Sequence, residues 1–101
     1  MAISTIADGG FNGGALCRHG NGTLYLLFNG SSGLTMYINV DGNPTLVDTE
    51  TGTAAHTGGD SIWLDMEIDG NNVIHIVSQG LSTSTNYIIH GTFDTVTNTF
   101  N

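Results

Sequence analysis

The stretch DGNNVIHIVSQGLSTSTNYIIH, Asp69 to His90, decides the fold. It opens on a turn, runs into a strand, passes a short polar loop and returns as a second strand. Moved back fifty positions, it falls without a gap on HGNGTLYLLFNGSSGLTMYINV, His19 to Val40. Gly70 then meets Gly20, Asn71 meets Asn21, Ile74 meets Leu24, Ile76 meets Leu26, Gly80 meets Gly30, Tyr87 meets Tyr37 and Ile88 meets Ile38. Turn residues fall on turn residues and apolar positions on apolar positions. A fixed period of this kind marks a repeat architecture. The chain divides into two copies of one unit, residues 1–60 and 61–101.

Each unit reads as short strands between tight turns. In the first, Ala2 to Ala7 leans toward β and Phe11-Asn12-Gly13-Gly14 reads as a glycine-rich loop. Strands are expected at Ala15 to His19, Thr23 to Phe28, Leu34 to Val40 and Thr45 to Thr49. Their turns carry Asn-Gly and Asp-Gly, residues that accept positive φ. The longest loop, Glu50 to Asp60, leads to the second unit, with strands expected at Ser61 to Ile68, Val73 to Ser78, Ser84 to His90 and Thr95 to Phe100. The strand at Ala2 to Ala7 makes one candidate too many, so one terminus is expected at a sheet edge or on a neighbouring subunit. No segment repeats its apolar residues at helical spacing. The chain is all-β.

Thr23 to Phe28, TLYLLF, is apolar on both faces. A free-standing four-stranded meander cannot bury both of its faces, but a sheet stacked between two others can. That favours propeller blades over a β-sandwich, whose strands would alternate.

The bulk numbers exclude several classes. One Lys+Arg stands against nine Asp+Glu, a formal net charge of −8. Nucleic acids and anionic membranes are both held through lysine and arginine, so neither is an expected partner. The lone Cys17 leaves no intrachain disulfide and no cysteine zinc site, and reads as a small buried apolar residue. No charged start followed by an apolar run announces secretion. The sequence leaves the compartment unassigned, with cytoplasmic and virion-associated as the two options.

The run Asp69-Gly-Asn-Asn-Val-Ile-His-Ile-Val, followed by Asn86-Tyr-Ile-Ile, resembles the blades of sialidase-like, Asp-box-type β-propellers. The resemblance spans both units and implies two four-stranded antiparallel blades per chain. Small lectins similar in layout assemble as trimers into a six-bladed ring, and this chain has the length for that. The implied state is a homotrimer, with an eight-bladed tetramer as the alternative. The Asp-box turn itself, Ser-x-Asp-x-Gly-x-x-Trp, has only a degenerate counterpart at Asn39-Val-Asp41-Gly42. The arginine, glutamate and tryptophan pattern of fucose-binding members is also missing, so none of their binding residues carries over.

A sialidase-like active site needs an arginine cluster and a Tyr–Glu pair, yet Arg18 is the only arginine. It reads as a partner for Asp65 or Glu67 on an adjacent blade, and no enzyme activity is expected. His19, His56, His75 and His90 show no metal spacing, and the Asp65–Asn71 carboxylates do not match a calcium loop. No metal or cofactor is expected. A hairpin centred on Leu81–Ser82 would set His75 opposite Ile88 and leave His75 and His90 unpaired, His75 being a satisfied core residue.

Loops between units and between second and third strands leave a blade on one face. That face would carry Phe11, Asn12, Asn29, Ser31, Ser32, His56, Asp60, Trp63 and Gln79. Neutral amides and hydroxyls beside aromatic rings are the residue types that hydrogen-bond and stack on sugars. The expectation is a lectin-like, carbohydrate-binding oligomer. The alternative is a structural or protein-interaction ring without sugar binding.

Overall fold

The computed structural model describes residues 12–30, 33–39, 42–50, 64–81 and 86–101. They form eight strands in two four-stranded antiparallel sheets. The first sheet holds β1 (Asn12–Arg18), β2 (Leu24–Gly30), β3 (Gly33–Ile38) and β4 (Thr45–Glu50), in that spatial order. The second repeats the order with β5 (Leu64–Ile68), β6 (Val73–Leu81), β7 (Asn86–Asp94) and β8 (Thr99–Phe100). Among the described residues there is no helix. The strand suggested for Ala2 to Ala7 lies outside them.

The same turn joins the first two strands of both units. Gly22 N–H donates to His19 O at 2.9 Å, and Asn72 N–H donates to Asp69 O at 3.0 Å. The last residue of each turn has positive φ, Gly22 at 98° and Asn72 at 62°. Glycine and asparagine tolerate that region because little or no side chain meets the next carbonyl. Between Asn12 and Gly14 the ladder slips by one residue at Gly13, whose φ is 67°. This is a glycine bulge, and it continues β1 through residues expected to be loop.

Three strand boundaries differ for a common reason. Asn12 belongs to β1, Asn29 to β2 and Gln79 to β6, because ladder hydrogen bonds extend pairing into polar residues that carry no β signature. Conversely, Thr95 to Asn98 form a turn, and only Thr99–Phe100 pairs with β7. Asp94 Oδ1 accepts the N–H groups of Val96 and Thr97 at 2.7 and 3.2 Å and holds that turn.

The second hairpin departs from the fifty-residue match. Tyr25 pairs with Ile38, while His75, its counterpart, pairs with Thr92. Ile38 therefore corresponds to Thr92, an offset of 54 (92 minus 38), and the expected equivalences of Tyr87 with Tyr37 and Ile88 with Ile38 are replaced. β1 and β2 keep the offset of 50: Leu16 pairs with Leu26 and Met66 with Ile76.

The core lies between the sheets. Tyr25, Leu27, Leu34 and Met36 of the first face Leu64, Met66, Ile74, Ile76 and Phe93 of the second. Tyr25 and Phe100 each meet Phe93 edge to face, at centroid separations of 5.8 and 5.1 Å. Hydrogen bonds cross as well: Tyr25 Oη donates to Asn98 Oδ1 at 3.2 Å, and Phe100 N–H to Asp48 Oδ2 at 2.8 Å.

Like strand covers like strand. β1 lies beside β5 and β4 beside β8. The turn at residues 19–22 sits next to that at 69–72, so that a Cβ on Gly20 would come 3.8 Å from Asn72 Oδ1. Corresponding strands thus run the same way. A two-fold axis would reverse either the strands or their order, so the sheets are related by a stacking step. The consequence shows in the side chains. Leu16, Leu24 and Leu26 face away from the core, yet their counterparts Met66, Ile74 and Ile76 face into it.

Candidate functional site

Strand direction gathers the candidate residues before chemistry does. β1, β3, β5 and β7 begin, and β2, β4 and β6 end, at the edge of the stack opposite the 19–22 and 69–72 turns. Asn12 and Asn29 are cross-strand partners at this edge, and Gln79 pairs with Ile88 near it. The backbones of these three residues are described. Phe11, Ser31, Ser32, His56, Asp60 and Trp63 lie outside the described residues.

A second cluster was not anticipated. His75 on β6 and His90 on β7 both face away from the core. Thr92 is the direct partner of His75 and His90 that of Val77, so the two histidines are diagonal neighbours on one surface. Their rings stack with centroids 5.5 Å apart and planes 10° from parallel. His75 Nδ1 lies 3.2 Å from His90 Nε2, and His75 Nε2 lies 2.8 Å from Asp69 Oδ2. This corrects two expectations, that His75 faces Ile88 and that it is a core residue. Its side chain is 43% exposed. Side-chain parity carried no signal for this: residues 75 and 90 share a face whether 75 pairs with 88 or with 92, and only the ladder decides between those registers.

One tautomer satisfies every contact with neutral rings. The carboxylate can only accept, so His75 Nε2–H donates to Asp69 and leaves Nδ1 as acceptor for His90 Nε2–H. Asp69 Oδ1 meanwhile accepts the N–H groups of Asn71 and Val73 at 2.8 and 3.1 Å. The His75 hydrogen bond, with help from those of Val73 and Asn71, holds the Asp69 carboxyl below the usual carboxylate range. The cluster rivets the 69–72 turn to β6 and β7. Glu67, Ile68, Asp69 and His75 line a shallow depression of about 340 Å³ beside it. Both nitrogens of His75 are engaged, and no group of three metal-binding side chains occurs among the described residues.

Arg18 is exposed on β1 on the side away from the core, where its guanidinium donates to Gly22 O at 2.8 Å. Asp65 and Glu67 are exposed on β5, also away from the core. The two sheets therefore point these groups in opposite directions, and the pairing expected on the adjacent blade does not form within the chain. Cys17 packs against the core, and burial pushes its thiol pKa up.

Comparison with family models, with curated proteins and with solved structures found no match.

Proposed function

We propose that the protein is a non-catalytic, carbohydrate-binding component that works as a symmetric ring of propeller blades, three chains supplying six. The observation that carries this reading is the stacking step between the two sheets. A relation of that kind, repeated, leads either to a closed ring or to an open filament. Closure would cover the apolar surface left outside the first sheet. A ring repeats one edge of every blade around a single rim, and that edge carries Asn12, Asn29 and Gln79. Repeated weak sites give avidity on a glycan-coated surface.

The test is a glycan array on the assembled protein, repeated with Trp63→Ala and Asp60→Ala variants that keep the assembly. Binding by the parent and loss in either variant supports the reading. A blank array across neutral and sialylated glycans turns it to the second reading, a structural ring with a protein partner. The exposed apolar residues Leu16 and Leu46 favour that alternative. An acidic, lysine-free surface would keep such a ring soluble.

A further inference from the structure

We infer that the outward face of the first sheet is the docking site for the outward face of the second sheet of another copy, joined head to tail with Arg18 against Glu67 and Asp65. The inference rests on the ring reading above and names the contact that reading requires.

The first sheet turns Leu16, Leu26 and Leu46 outward from β1, β2 and β4, with Leu16 56% and Leu46 51% exposed; Phe28 and Thr35 on the same face are already buried, so the open part of the face is the part around those leucines. The repeat identifies what belongs there. Leu16 and Leu26 are the counterparts of Met66 and Ile76, which the second sheet buries against the first. The outward face of the first sheet is thus built to the pattern of a face already covered within the chain. Its cover there is the inward face of the first sheet, whose counterpart is the outward face of the second.

That outward face carries Val77 and Ile88, the latter 73% exposed, in the places held by Leu27 and Leu34 in the core. Asp65 and Glu67 stand where Ala15 and Cys17 do, and Arg18 stands where Ile68 does. Within the chain Cys17 and Ile68 both pack against the shared core. The same step taken between copies brings the chain's only cation against two carboxylates, on a pair of faces that are otherwise partly apolar. In a chain of net charge −8, the opposed charges set the direction of docking and disfavour two like faces meeting. The first sheet of one copy then meets the second sheet of the next.

Two single-face variants test this by sedimentation. Leu16→Glu blocks the first face and Ile88→Glu blocks the second, both at exposed positions. Each alone should sediment as a single chain, and a mixture titrated to high concentration should form a one-to-one pair, since each variant retains the face the other lacks. A variant that keeps the parent's size alone, or pairs with itself, overturns the head-to-tail assignment while leaving the ring reading intact. A parent that remains a single chain at every concentration overturns both. The glycan array still reports on sugar binding independently. If far-ultraviolet circular dichroism shows either variant unfolded, Arg18→Glu and Glu67→Arg replace them. Each should weaken association about tenfold. Mixing them should recover it, because the altered faces then meet opposite charges. Unchanged association in both, or no recovery on mixing, overturns the inference.

Discussion

His75 stands opposite Thr92 across the β6–β7 ladder, four residues beyond Ile88, the partner suggested by a hairpin centred on Leu81–Ser82. That displacement moves His90 from one diagonal of His75 to the other, and in this register the chain Asp69–His75–His90 forms. Nitrogen-resolved NMR, at a pH where both rings are neutral, should find each ring protonated on Nε2. A δ-protonated His75 would contradict the hydrogen-bond chain, because its Nε2 would then face the Asp69 carboxylate without a proton. Asp69→Asn should leave the strands in place while removing the carboxylate that selects the tautomer.

Asp69 also makes stability depend on pH. Its folded-state pKa is lowered, so the unfolded chain binds the proton more readily. The stabilisation is present above the ordinary carboxylate pKa and is lost as pH falls through the depressed folded value. Thermal melts on the acid side of neutrality should show a fall in melting temperature toward low pH that is shallower in Asp69→Asn. Identical slopes would mean that the carboxylate is not held by the turn and His75.

Phe93 is fully buried and touches Tyr25 of the first sheet and Phe100 of the second. Phe93→Ala removes a ring at the centre of the contact between sheets and should cost about 3–5 kcal/mol. Against a typical domain stability of about 5–15 kcal/mol, that is a large share. Denaturant unfolding should record a midpoint shift without a change of slope. A loss below about 1 kcal/mol would mean that the sheets do not depend on each other for their packing.

The turns separate two glycines. Gly22 has φ of 98°, so an alanine there is strained even with open space around it, and Gly22→Ala should cost about 1–2 kcal/mol. A Cβ on Gly70 meets nothing within 4 Å and its φ is not in the left-handed region, so Gly70→Ala should stay within about 0.5 kcal/mol. Equal effects at the two sites, measured by the same melts, would contradict the turn geometry.

Cys17 lies half-buried against the core with its thiol pKa raised by burial. Little thiolate is available at neutral pH, so alkylation by iodoacetamide should run slower than for a free cysteine peptide. Unfolding with denaturant should restore the peptide rate. Equal rates folded and unfolded would place the thiol in solvent.

Much of the architecture was legible because its signals are local. Asn21-Gly22 and Asp69-Gly70 mark turns through their own backbone preferences, and the recurrence of Leu24, Leu26 and then Ile74, Ile76 marks two equivalent strands. The candidate lectin residues were legible only as composition, since Phe11, His56 and Trp63 carry no signal of where their side chains lie.

Register and facing were not legible, and the reason is the two-residue period of a strand. A slip of one residue would turn every side chain over, but the slip of four in the second hairpin keeps each on its own face. Patterning is therefore blind to it, and only ladder pairing fixed which diagonal His90 takes from His75. Facing escaped for a related reason. TLYLLF is apolar at every position after Thr23, so alternation cannot say whether Leu24 and Leu26 or Tyr25 and Leu27 turn inward. The second sheet settles it: Phe93, Ile74 and Ile76 cover Tyr25 and Leu27, and Leu16, Leu24 and Leu26 are left on the outward side.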